Sequence, residues 1–470
     1  MALALGLGCT SIVTEDGNLY AFGRNDYGQL GVGTLQTKMH PEMIDPVTIF
    51  DNEEVLTVAA GGHHGACVTK DGSLWTWGPA EDGRLGHVYD VYEDDIFSRP
   101  ERHRMERFGF SRAMMVCCGS DYTMLLTEAG HVWNCGYGGE GALGHGDLLD
   151  QYTLTQIDPA RFGGARIEMI TSGEVHCLAL ESGGDMLWAW GSNSNGELGN
   201  GNGPYTNASA PEAMPMQTFQ GQKVVFINAG SDFSQVVTED GAMWASGSGA
   251  LGQLGLGDRI NRSVFERAGG PEIFDGFGVR MLSCGFANTL IVTQDDKLWV
   301  CGAAEFAMLG DYGTEDRLVP VVINPAYFQG NKIVVVGAGR MHAAAITEQG
   351  RVYTWGMGQH ASYGTGPDAV HSGGLGHGAN PSNRTEWTPH MIPDALLGNK
   401  RMGHWHQRRQ ELATAFFMGI HTRLGADCDY RDAPWELLQK IFGDVLYVPP
   451  RCFSRGLRDL MGLTVPATTI

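Results

Sequence analysis

GGHHGACVTKDGSLWTWGPAEDGRLGH, residues 61–87, decides the fold. It is a Gly-rich turn, a short apolar strand closed by Thr69, a reverse turn at Asp71-Gly72, an aromatic strand ending in Gly78, and a second Gly-rich loop. The same sequence of parts recurs along the chain. Aligning the copies on the residue that closes the first of these strands gives Thr14, Thr69, Thr127, Glu181, Thr238, Thr293 and Thr347, spaced by 55, 58, 54, 57, 55 and 54 residues. A period this steady defines an architecture of repeated supersecondary units.

Each unit contains a β-hairpin. The segment before the turn holds small and β-branched residues, and the segment after it, residues 73–77 in the second copy, alternates apolar and polar side chains. Gly17, Gly72, Gly130, Gly241 and Gly350 supply the positive φ that a tight turn needs. The sixth copy has Asp295-Asp296 instead, and Asp tolerates that region better than most residues. A further apolar run precedes every hairpin, as at residues 55–60, and a Pro-containing run such as 317–323 follows the Gly-x-Leu-Gly loop. Three good strands and a weaker fourth, its Pro suited to a sheet edge, make a four-stranded unit. Seven such units predict an all-β fold, a seven-bladed β-propeller over residues 1–393. A solenoid is disfavoured because the end copies resemble the middle ones. Residues 2–5 stand where 55–60 stand in the second copy, so ring closure is expected from packing of blade seven on blade one or from a strand after Thr388.

At 470 residues, 43% hydrophobic and 18% charged, the chain buries a sizeable core, and a ring of this size counts as one domain. The 68 glycines belong to the loops. No apolar run reaches membrane-spanning length and no leader is visible, so neither a membrane span nor a signal peptide is expected. The cysteines fall mostly within strands, without metal-ligand spacing, and read as buried thiols of a protein in a reducing compartment, cytoplasmic or similar. A net charge of −21 argues against nucleic acid, whose binding draws on Lys and Arg. The one dense basic stretch, KRMGHWHQRR at residues 400–409, reads as a solvated helix face or a contact with the protein's own acidic ring.

The aromatic-Gly pairs Phe22-Gly23, Trp77-Gly78, Trp190-Gly191 and Trp355-Gly356, with the Gly-x-Leu-Gly segments at 28–31, 83–86, 141–144, 196–199 and 252–255, resemble the regulator of chromosome condensation repeat. The resemblance covers about residues 1–393 and implies the propeller fold. Its members include an exchange factor for a nuclear GTPase, a plant ultraviolet-B photoreceptor, parts of large ubiquitin ligases and scaffolding propellers, and a shared fold does not choose among them. The exchange factor also uses a basic N-terminal tail for chromatin, whereas this sequence opens on expected strand residues, so chromatin docking is not expected. The photoreceptor's Gly-Trp-Arg-His-Thr pentapeptide has no counterpart here, and the strand tryptophans read as packing between blades.

His64, His176 and His342 occupy the same place in copies two, four and seven, where the others have Cys9, Tyr122, Phe233 and Asn288. With no recurring carboxylate beside them, they read as structural histidines bonded to a neighbouring blade, and no metal is assigned. His87, His145 and His377 follow the Leu-Gly of three loops and read as turn-closing donors or acceptors. No Gly-rich loop matches a phosphate-binding motif, and no nucleophile, base and acid stand in a recognisable arrangement. The chain therefore reads as non-enzymatic, with no cofactor.

Two insertions break the repeat. Residues 88–97 are acidic and aromatic, and residues 359–384 extend the seventh copy. Departures from a repeat lie on the surface, where propellers bind. After Pro393 the repeat stops, and residues 394–470 are read as a short helical extension. Residues 404–424 carry apolar positions at helical spacing, and a second helix is expected over 434–442. Residues 433–442, APWELLQKIF, are similar to the opening of an F-box. The candidate partner-binding residues are thus Tyr89, Asp90, Tyr92, Glu93, Asp94, Asp95, Phe97, His371, Trp435, Leu437, Leu438 and Phe442. The expected function is a protein–protein interaction scaffold, within a larger assembly or alone. A guanine-nucleotide exchange factor for a small GTPase and a substrate-binding adaptor of a ubiquitin ligase are the alternatives.

Overall fold

In a computed structural model the chain forms seven four-stranded antiparallel sheets, each with its strands in sequential order and each built from one stretch of chain. The structure describes residues 1–87, 95–109, 111–358, 375–377, 385–393 and 397. Blade one consists of Ala2–Leu5, Cys9–Val13, Leu19–Gly23 and Lys38–Met43, and blade seven of Ile333–Ala338, His342–Thr347, Val352–Met357 and Thr385–Met391. The first strands line the axis, each packing on that of the next blade, and the first strand of blade seven packs on that of blade one. This is the expected propeller, and the expected strand at residues 2–5 is in place.

The middle strands explain why the repeat tolerates so little change. Both faces of each sheet are covered by neighbouring blades, so second strands such as Gly65–Thr69 and third strands such as Leu74–Pro79 are buried throughout. The apolar–polar alternation read at residues 73–77 is therefore not a core face and a wet face: Thr76 is buried too, and its hydroxyl donates to Leu85 O at 3.0 Å. The fourth strands, with Pro41, Pro100, Pro211, Pro320 and Pro389, lie at the outer edge and are partly exposed. In blades two to seven a bulge interrupts the pairing of the first strand with the second, as between Val55 and Thr57.

The hairpins share one local device. Thr14, Thr69, Thr238 and Thr293 each donate a hydroxyl to the carboxylate two residues on, all at 2.6 Å. Asp296 takes the left-handed conformation at φ 62°, as the sequence led one to expect. The Gly closing each third strand is required sterically: at Gly23, φ 111°, an added Cβ would lie 2.3 Å from Gly8 O.

Ring closure comes from packing of blade seven on blade one. Ile12 and Phe22 of blade one share a buried cluster with Val334, Ile346, Val352 and Ile392. Thr385–Met391, which spans Thr388, is the outer strand of blade seven itself.

Candidate interaction face

The propeller has two unlike faces. One carries the turns between first and second strands and the long loops between third and fourth strands. The other carries the tight hairpins and the crossings from blade to blade. In sequence, both insertions follow a third strand, 88–97 running into the fourth strand Ile96–Arg102 of blade two and 359–384 preceding Thr385–Met391 of blade seven; of them only residues 95–97 and 375–377 are described.

Of the candidate residues, Tyr89, Asp90, Tyr92, Glu93, Asp94, His371, Trp435, Leu437, Leu438 and Phe442 lie outside the described residues, as do both expected C-terminal helices. Asp95 and Phe97 are described, and they anchor the end of the insertion. The Asp95 carbonyl accepts from the Ala80 N–H at 2.9 Å, and the Phe97 ring stacks on His87 with centroids 5.8 Å apart.

The face gains definition from a feature that the sequence reading passed over. Leu35, Leu149, Tyr205, Ile260 and Tyr312, one from each of five long loops, are 47%, 66%, 81%, 63% and 73% exposed. The loops bearing them are clamped. Asp150, Asn207, Asn261 and Asp316 accept backbone N–H bonds from Gly138, Asn193, Gly249 and Ala304 at 2.8–3.1 Å, closing four of the five loops at the base. Gly33, Gly146, Gly201 and Gly257 donate N–H bonds to the outer strand of the following blade at 2.7–2.8 Å. The signal was legible as an apolar residue within each otherwise polar stretch, as in DLLD at 147–150 and DRIN at 258–261.

Charge is unevenly spread over this face. Around blades three to five stand Asp121, Glu140, Glu174 and Asp232, and the Ser231 hydroxyl donates to Glu174 at 2.5 Å. Burial, then the charges of Glu197 and Glu174, push the Asp232 carboxyl up to about 6. Across the ring, Arg340 sits over the Phe286 ring at 4.6 Å and Arg24 over Tyr27 at 5.4 Å, while Tyr27 meets His63 edge-on.

The histidines of blades two, four and seven are structural, as expected. His64 Nε2 lies 3.0 Å from Thr123 Oγ1, His176 Nε2 2.9 Å from Ser234 Oγ and His342 Nε2 2.8 Å from Thr10 Oγ1, in each case on the next blade. Thr123 and Ser234 spend their single protons on Arg84 O and Glu197 O, both at 2.7 Å, so His64 and His176 must be the donors. Those carbonyls belong to the x residue of Gly-x-Leu-Gly. At other seams an indole takes the hydroxyl's role: Trp77, Trp190 and Trp355 donate Nε1–H to Gln29 O, Ala142 O and Met308 O at 2.8, 2.9 and 2.9 Å. Each of these tryptophans is paired across its hairpin with Gly65, Cys177 or Ala343, which leave room for the ring. The same blades thus carry His and Trp, bonding forward with one and backward with the other.

In the second set, His87 Nε2 and His377 Nε2 bond Thr76 and Thr354 at 3.0 and 2.6 Å. His145 departs from expectation: its Nε2 is buried with no hydrogen-bond partner among the described residues. The eight described cysteines are free, and burial pushes the Cys9 thiol up to about 11 and that of Cys117 up to about 12. Among the described residues no group of three His, Cys, Asp or Glu side chains could hold a metal ion, and no helix is long and apolar enough to cross a membrane.

Known proteins share this arrangement. The chain is 32% identical over 314 residues to the ultraviolet-B receptor UVR8 of Arabidopsis thaliana, covering 67% of each protein. It is 27% identical over 361 residues to the E3 ubiquitin-protein ligase HERC2 of Homo sapiens, covering 76% of this chain and 6% of that one. Among solved structures, Prp20p of Saccharomyces cerevisiae superposes with a TM-score of 0.68 at 20% identity, covering 82% of this chain and 87% of the other. Human WBSCR16 superposes with a TM-score of 0.65 at 23% identity, covering 73% and 85%. Residues 16–68 match the regulator of chromosome condensation (RCC1) repeat, and residues 45–406 match the RCC1-like domain. The chain therefore belongs to the family of RCC1-like domain propellers.

Proposed function

We propose that the protein is an interaction scaffold that binds other proteins on its loop face. The observation that carries this reading is the set of exposed apolar side chains on loops whose bases are clamped by hydrogen bonds. A side chain held out on a fixed loop loses little entropy when a partner covers it. Relatives bear names as different as an ultraviolet-B receptor and a ubiquitin ligase, so the shared fold does not select an activity.

The test is quantitative co-purification of the full chain beside two variant sets. Leu149→Ser, Tyr205→Ser and Tyr312→Ser together alter the loop face, and Glu128→Ala with Glu348→Ala alters the hairpin face. Loss of stoichiometric partners from the first set alone supports the scaffold reading. Loss from the second set alone, or no partner with the unaltered chain, overturns it. A small GTPase held only when magnesium is chelated would assign exchange, and a ligase component lost on removing residues 401–470 would assign the adaptor.

A further inference from the structure

The long loop of blade three differs from its counterparts. Gly136 pairs with Gln151, and the Gly138 N–H donates to Asp150 Oδ1 at 2.8 Å, so the two ends of the loop are held together. Tyr137, Leu148, Leu149 and Tyr152 leave the chain within two residues of that closure, and they are 38%, 60%, 66% and 54% exposed. Single apolar residues on a surface need no explanation, but several at one place with a polar rim mark a binding site.

The rim here is acidic. Glu140, Asp147 and Asp150 make no ion pair among the described residues. Gly83 of blade two sits against Tyr152, where an added Cβ would lie 2.4 Å from Tyr152 Cα, bringing Glu81 and Asp82 to the same edge. Those two carboxylates share Arg84, which also pairs with Asp121. Arg161, packed on Gly146, is the basic group beside the loop. In blades five and six the corresponding carboxylates are paired: Arg259 with Asp316, Arg262 with Asp258 and Glu266, and Arg317 with Asp311.

We propose that the blade-three loop docks a partner segment whose aliphatic or aromatic anchors are flanked by lysine or arginine. The apolar side chains would receive the anchors and give the complex its lifetime. The carboxylates, reinforced by Glu174 of blade four and Asp232 of blade five, would speed encounter and make binding sensitive to salt. The inference rests on the loop face being the binding face and adds the blade and the chemistry of the partner.

The test titrates the full chain with two fluorescent amphipathic peptides, one of leucine and lysine, the other of leucine and glutamate. The leucine–lysine peptide should bind more tightly, and less so as salt rises. Leu148→Ser with Leu149→Ser should weaken it at least about tenfold. Glu140→Gln with Asp147→Asn should flatten the salt dependence. Tyr205→Ser, on the next blade, should change the affinity by less than about twofold. Equal binding of the leucine–glutamate peptide, or undiminished binding by the leucine pair variant, overturns the proposal. If binding is lost with Tyr205→Ser and kept by the leucine pair variant, blade three is wrong while the loop face stands.

Discussion

The imidazole of His342 and the hydroxyl of Thr10 meet at 2.8 Å across the seam between the last blade and the first, joining residues 332 positions apart in the chain. Both side chains are buried. The described strands of each of these blades come from one stretch of chain, so closure rests on side-chain packing between them: this bond, the cluster around Phe22 and the contact of the two first strands. His342→Ala should cost about 1–3 kcal/mol, the loss of one buried hydrogen bond. It should raise hydrogen exchange in Ala2–Leu5 and His342–Thr347 ahead of the other blades, which native-state exchange mass spectrometry would detect. Uniform loosening of all seven blades would contradict this.

The tryptophan seams give a second expectation. Trp355→Phe keeps an aromatic ring and removes the Nε1–H bond to Met308 O, leaving a buried carbonyl without that donor. A loss of about 1–3 kcal/mol is expected in urea unfolding. Trp387→Phe, at a half-exposed position on an outer strand, should stay within about 0.5 kcal/mol.

Acid should loosen the ring. Burial holds His64 down to about 3 and His342 down to about 4, below the usual 6.5. As pH falls below 6.5 the unfolded chain takes up protons that the folded one refuses. Stability is therefore full above 6.5 and is lost as pH drops toward 4, by about 1.4 kcal/mol per pH unit for each histidine. Unfolding midpoints at pH 7 and pH 5 should differ more for the unaltered chain than for His64→Gln with His342→Gln. Equal pH dependence of the two would count against buried neutral imidazoles.

One seam lacks this fit. Asn288 occupies the histidine position of blade six and faces Ala343 of blade seven, whereas His64, His176 and His342 face Thr123, Ser234 and Thr10. It is fully buried, and neither Nδ2 nor Oδ1 has a hydrogen-bond partner among the described residues. Asn288→Leu should thus be neutral or stabilising by about 1 kcal/mol, whereas His176→Leu at the equivalent place should cost about 1–3 kcal/mol. Thermal unfolding of the two variants decides, and a clear loss for Asn288→Leu would contradict the assignment.

The fold was legible because the constraints recur. The Gly after each aromatic strand, the Thr-x-Asp of the hairpins and Gly-x-Leu-Gly appear at one period, and each has a steric or hydrogen-bonding reason that sequence displays. That the three histidines bond a neighbouring blade was legible, but neither which neighbour nor the partner. Thr10, Thr123 and Ser234 become neighbours of His342, His64 and His176 only when the ring forms. The exposed loop residues were missed for a different reason. An apolar residue in a polar loop looks like any other until the clamps at Asp150, Asn207, Asn261 and Asp316 show that it is held outward. His145 was misread because the turn-closing bonds of His87 and His377 need a Thr on the third strand, and blade three has Asn134 there.

The central claim, that partners bind the loop face, is tested most directly by site-specific photo-crosslinking in the full chain. A photoreactive residue placed in turn at Leu149, Tyr205 and Tyr312, and on the opposite face at Glu128, Asp185 and Glu348, reads the two faces separately. Crosslinked partners from the first three positions and none from the second three are the predicted result. Crosslinks confined to the hairpin face would contradict it.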